Sequence, residues 1–162
     1  MTRETKTFSS LAGKRAAYAT ALAQAESLVE GIGNRVGALA NICALLKYSF
    51  PHYFWVGFYV VDGDSLCLGP FQGPVACYAI ARGRGVCGTA WQRAETIVVP
   101  DVELFPGHIA CSSLSRSEIV VPVFKAGKVA AVIDVDSESL DAFDSVDQEA
   151  LERLARLCAP FV

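Results

Sequence analysis

The chain has 162 residues, 52% of them hydrophobic and 19% charged, with a formal net charge of −3. These values exclude a disordered chain and favour one domain over several, and the scattered Lys and Arg exclude the concentrated basic face of a nucleic-acid binder. No window approaches the roughly 18 apolar residues of a membrane span, and the polar run Met1 to Lys6 has no apolar segment behind it, so a cytoplasmic chain is expected.

Residues 1–16 read as a polar, loosely docked N-terminal extension, ahead of a single domain over 17–162. From Arg15 to Glu30, Tyr18, Leu22, Ala25 and Val29 recur at three- and four-residue steps and predict an amphipathic helix. Gly31 and Gly33 interrupt it, and a second helix is expected from about Asn34 to Lys47, ended by Pro51. Tyr53 to Val61 is aromatic and β-branched, and the turn Asp62-Gly63-Asp64 leads into a second strand over Ser65 to Phe71, so the two predict a hairpin. A third short strand is expected over Val75 to Ile80, then a glycine-rich turn opening a short helix over Gly83 to Arg93, then a small strand from Thr96 to Val99. Pro100 to Arg116 is the longest stretch without periodicity, and such loops in compact domains are usually functional or disordered. Ser117 to Phe124 and Lys128 to Val135 predict a second hairpin around Ala126-Gly127, and a last helix begins near Phe143 to Asp147. The sum is an α+β fold: a central antiparallel sheet of about six strands with the N-terminal and C-terminal helices packed on one face.

Six cysteines invite a disulfide framework, yet a chain this long and apolar needs no staples, and without a secretory signal its thiols are expected to be reduced. There is no C-x-x-C pair, and His52 and His108 lie far apart, so no metal is expected. Cys43 and Cys158 fall on apolar helix faces and read as core, and Cys67, between Leu66 and Leu68, reads as structural. Cys77 follows a Gly-Pro turn, Cys87 sits in the glycine-rich turn, and Cys111 lies in the long polar loop with His108 and Arg116 near enough in sequence to help stabilise a thiolate. Spacing alone leaves open whether Cys111 is reactive.

The acids are a second signal. In Asp134-Val135-Asp136 the two-residue period of a strand puts both carboxylates on one face, and Glu118 begins the strand that pairs across the Ala126-Gly127 turn. In a regular hairpin paired residue numbers sum to about 253, which sets Glu118 beside Val135 and its flanking acids. Three crowded acids raise at least one pKa; the plainer alternative is a solvated strand end. A thiol, a carboxylic acid and a second thiol are what sulfoxide reduction demands: attack at sulfur, protonation of the oxygen, and resolution of the resulting sulfenic acid. Ionised carboxylates can also hold a substrate ammonium, and Trp55 and Tyr59, of like face on the first strand, are candidates for an aromatic wall around a methyl group or for core.

Six stretches carry a resemblance: Trp55-Val56-Gly57-Phe58-Tyr59, Leu68-Gly69-Pro70-Phe71-Gln72-Gly73, Gly83-Arg84-Gly85-Val86-Cys87-Gly88-Thr89-Ala90, His108-Ile109-Ala110-Cys111, Ser115-Arg116-Ser117-Glu118-Ile119-Val120-Val121-Pro122 and Asp134-Val135-Asp136-Ser137. Over roughly 17–162 the chain resembles the free methionine-(R)-sulfoxide reductases, a family of single GAF-like domains. The resemblance implies that Cys111 is the catalytic nucleophile, that Cys77 resolves it as a disulfide, and that Cys87 is an auxiliary catalytic thiol or a substrate-side group. It implies that Glu118, Asp134 and Asp136 bind substrate and assist proton delivery, that the substrate is free L-methionine (R)-sulfoxide, that thioredoxin is the reductant and that no cofactor is needed. A homodimer through the terminal helices is compatible with it. The competing expectations are a small-molecule-binding GAF sensor without catalysis, and a thiol peroxidase or redox switch that uses the cysteines but not the acids.

Overall fold

Strand β1 (Trp55–Asp62) parts the two faces of the molecule. Its alternating residues Val56 and Phe58 enter one buried cluster, while Trp55 and Tyr59 enter another on the opposite side. The computed structural model describes residues 10–109 and 111–162, and within them β1 occupies an inner position of a six-stranded sheet ordered β3-β2-β1-β6-β5-β4. The other strands are β2 (Ser65–Gln72), β3 (Ala79–Ala81), β4 (Ile97–Val99), β5 (Ser117–Lys125) and β6 (Lys128–Ser137). Every pairing is antiparallel.

Helices α1 (Leu11–Val29), α2 (Arg35–Ser49) and α4 (Ser145–Cys158) cover the Val56 face, where Tyr18, Ile42, Phe50, Leu151 and Cys158 pack with Phe58, Ile119 and Ile133. Cys43 and Cys158 are fully buried there, as expected for core thiols. The opposite face is covered by the short helix α3 (Gly85–Arg93) and by the irregular segments around it, with a smaller core of Trp55, Tyr59, Val86, Trp91, Val120 and Val132. An antiparallel sheet buried on both faces by unequal layers leaves room for a cleft on the thinner side. No helix among the described residues is long and apolar enough to cross a membrane.

Two sequence expectations are corrected. Residues 1–9 of the expected loose extension lie outside the described residues, but 11–16 form the first turns of α1, capped by the Ser10 side chain accepting from the Gly13 N–H. The cause is distant in sequence: the buried Lys14 ammonium pairs with Asp147 and, at 2.9 Å, with Asp144, the acids that form the capping box of α4. The third strand is Ala79–Ala81 alone, because Gly73, Pro74 and the residues up to Cys77 run as irregular chain beside β1. Within the long loop a single 3-10 turn, Val102–Leu104, is fixed by the Asp101 side chain.

Candidate active site

The β5–β6 hairpin turns at Ala126 and Gly127, both with positive φ (50° and 75°), the backbone of a two-residue turn that follows strand twist. Lys125 faces Lys128 as the simple sum of 253 requires, but an irregularity between Val123 and Phe124 shifts the ladder by one residue. Glu118 consequently pairs with Asp136 itself rather than with Val135. Across the other edge of β6, Asp136 pairs with Trp55 and Asp134 with Gly57. Glu118, Asp134 and Asp136 thus gather on the α3 side of the sheet, beside the face of Trp55 and Tyr59.

They line a cleft together with His108, Cys111 and Ser115 from the segment ahead of β5 and Arg84 ahead of α3. Cys111 is exposed, and it is disulfide-bonded to the half-buried Cys77 with 6.0 Å between Cα atoms, within the range a disulfide requires. Cys111 lines the cleft. The expectation of uniformly reduced thiols therefore gives way to one disulfide among six cysteines, with Cys43, Cys67, Cys87 and Cys158 free. Cys87 is buried in the first turn of α3, with its thiol turned to Asp134.

The aromatic wall does more than its apolar surface suggests. Trp55 stacks on Phe71 at 5.3 Å and on Tyr59 at 5.9 Å between ring centroids. Its indole N–H donates to the Pro74 carbonyl at 3.1 Å, and the Tyr59 hydroxyl donates to the Cys77 carbonyl at 3.0 Å. The two rings thereby hold the segment that carries Cys77 against β1. Gly57 lies between them because a Cβ there would collide with the Trp55 ring and with Phe71. Two hydrogen bonds from aromatic polar ends are invisible to a period-two pattern, which sees only the shared face.

Burial sets the charge state of the floor. It drives the Glu118 carboxyl well above the usual range, with the charge of Asp136 opposite adding to the rise. Burial does the same for Asp134, reinforced by Asp136 and Glu118. Burial also pushes Asp136 up to about 6, against the hydrogen bond from Ser115 and the nearby His108, which pull it down. The Cys87 thiol is raised by burial and by the same acids. Near neutral pH such a cluster keeps at least one proton, which makes it a proton donor at the base of an open cleft. Ser115 was not legible as a site residue. His108 stands 3.6 Å from Glu118, so it faces the acids, and with Glu118 and Asp134 buried a solvated strand end does not describe the site.

An antiparallel sheet with three long helices on one face, and a small helix and loops enclosing a cleft on the other, defines a GAF domain; residues 37–162 match the GAF domain family model. GAF domain-containing protein A of Dictyostelium discoideum is 54% identical over 145 residues, spanning 89% of this chain and 91% of that protein. The free methionine-R-sulfoxide reductase of Saccharomyces cerevisiae is 46% identical over 140 residues, spanning 82% of this chain and 78% of the yeast protein. The X-ray structure of free methionine-R-sulfoxide reductase from Neisseria meningitidis, in complex with its substrate, superposes with a TM-score of 0.89 at 52% identity, covering 91% of this chain and 89% of that one. The chain belongs to the free methionine-R-sulfoxide reductase family.

Proposed function

We propose that this protein reduces free L-methionine (R)-sulfoxide to methionine, with Cys111 as nucleophile and Cys77 as the thiol that resolves it. The observation that carries the reading is the Cys77–Cys111 disulfide at the lip of a cleft floored by three buried acids. In the reduced enzyme the Cys111 thiolate attacks the sulfoxide sulfur while a protonated carboxyl of the floor hydrogen-bonds the oxygen. The oxygen and a proton end on Cys111 as a sulfenic acid, and methionine leaves with the electron pair. The Cys77 thiol then displaces water from the sulfenic acid and forms the disulfide seen here.

The rest of the cleft fits the amino-acid part of the substrate. Carboxylates that remain ionised among Glu118, Asp134 and Asp136 hold the ammonium group, and Trp55 and Tyr59 enclose the methyl end. The first turn of α3, which has no side-chain cap, and Arg84 beside it suit the carboxylate. Cys87 takes the substrate-side role, since its thiol meets Asp134 and is not part of the disulfide. The disulfide is recycled by thioredoxin, for which the exposed Cys111 supplies an accessible sulfur, and that partner implies a cytoplasmic chain. Exposed Leu28, Ile32 and Val36 offer the surface for a homodimer.

The test is the stoichiometry of two variants. Cys111→Ser releases no methionine; Cys77→Ser, given no exogenous thiol, releases one methionine per enzyme and stops. Sustained turnover by Cys111→Ser would reject the assignment.

A further inference from the structure

The reaction proposed above sets Cys87 beside the substrate but does not use its thiol as a ligand. Cys87 is 3% exposed, and it comes from α3, whereas Glu118 comes from β5 and Asp134 from β6. One ligand atom from each, a sulfur and two carboxylate oxygens, lies within 4.8 Å of the others. A second observation points into the same space. Asp134 is 7% exposed, and its Oδ1 has no hydrogen-bond partner. Among the described residues the only basic side chain within ion-pairing distance of Glu118 or Asp134 is His108, 3.6 Å from Glu118.

We infer that Cys87, Glu118 and Asp134 form a site for a borderline-soft divalent cation of the zinc class, and that this cation competes with the ammonium end of the substrate. One thiolate with two carboxylates is a donor set that zinc accepts and that magnesium or calcium, which prefer oxygen alone, do not. Metal–ligand bonds of about 2.0–2.3 Å place tetrahedral ligand atoms about 3.5 Å apart, so the side chains close by little more than about 1 Å. Short-range motifs miss the site because its ligands come from three elements; Cys87 and Asp134 are 47 residues apart in the chain.

Binding needs no oxidant or reductant. The cation exchanges for the Cys87 thiol proton and for any proton the two carboxyls hold, so binding releases protons and strengthens as pH rises. The titratable and charged groups that face the site are Tyr59 on β1, Arg84 ahead of α3, His108 on the loop and Asp136 on β6.

Cation binding stands apart from the reaction, whereas the competition rests on it. The experiment uses the full chain carrying Cys77→Ser and Cys111→Ser, which can neither turn over nor offer those two thiols to a metal. Cobalt(II) is titrated in as the probe, and the thiolate-to-cobalt charge-transfer band is read. The expected result is a one-to-one band that zinc displaces, that survives Cys67→Ser, and that disappears on adding Cys87→Ala. Asp134→Asn, an isosteric change with less effect on folding, weakens cobalt binding by at least about 10-fold. No band at millimolar cobalt, or a band that persists with Cys87→Ala in a folded protein, overturns the site. Free methionine sulfoxide is then added to the cobalt-loaded protein, and a competitive loss of the band is expected. An unchanged band overturns the shared seat alone, while wild-type turnover measured without metal decides the reaction separately.

Discussion

Two residues of the cleft show how single positions carry function at a cost to stability. Asp134 is buried with its carboxyl pKa raised, so the folded state favours its protonated form and gains relative stability at low pH. That contribution is complete below the ordinary value of 3.8 and is lost as pH rises through the folded value. Asp134→Asn removes a burial penalty that grows as pH rises above 3.8. The variant is expected to melt roughly 2–4 °C higher at pH 8 for each kcal/mol recovered, with the gain vanishing towards pH 4, while its kcat/KM falls by about 10²-fold or more. A thermal melt series across pH checks the first part, and a gain equal at both ends would contradict it. The same protonation makes wild-type kcat/KM fall on the alkaline side, where the floor loses its last proton. Gly57 is the second position. Gly57→Ala pushes the Trp55 ring and Phe71 aside, so it should raise KM for the sulfoxide more than it lowers kcat and cost about 1–3 kcal/mol in denaturant unfolding. The shared face of Asp134 with Asp136, and of Trp55 with Tyr59, follows from the period of a strand. The clamp of the two rings on Pro74 and Cys77 does not, because it depends on where an irregular segment folds back.

Among the elements, the hairpin of β5 and β6 does most to assemble the site, and α1 does most to steady the opposite face. The alternation of apolar residues made both strands legible, yet the pairing of Glu118 required the irregularity at Val123 and Phe124, which no hydrophobic pattern marks. The start of α1 was missed for a related reason. Lys14 reads as surface by composition, but its ammonium closes an ion pair with Asp147, 133 residues away, in a network that includes the Tyr18 and Tyr53 hydroxyls. Lys14→Ala leaves the fully buried Asp147 without its cation, and a loss of about 3–5 kcal/mol is expected from chemical denaturation. A loss below about 1 kcal/mol, the size of an exposed pair, would show that α1 is held by its apolar face alone.

At the scale of the whole molecule, the order of elements, the antiparallel sheet and the helices on one face were all readable from periodicity and turn residues. The meeting of Cys77 with Cys111 was readable only through resemblance, since 34 residues, among them β3, α3 and β4, separate them. Once folded, the sheet keeps its acids fixed while the thiols ride on irregular chain, an arrangement that gives the proton donor a rigid base and the nucleophile an exposed position. A chiral pocket with seats for both ends of the amino acid admits one epimer of a free amino-acid sulfoxide. The decisive measurement is consumption of racemic free methionine sulfoxide with thioredoxin, its reductase and NADPH. Reaction is expected to stop at about half, with the (R) epimer gone and a peptide-bound sulfoxide untouched; complete consumption of the racemate, or equal activity on the peptide, would overturn the assignment.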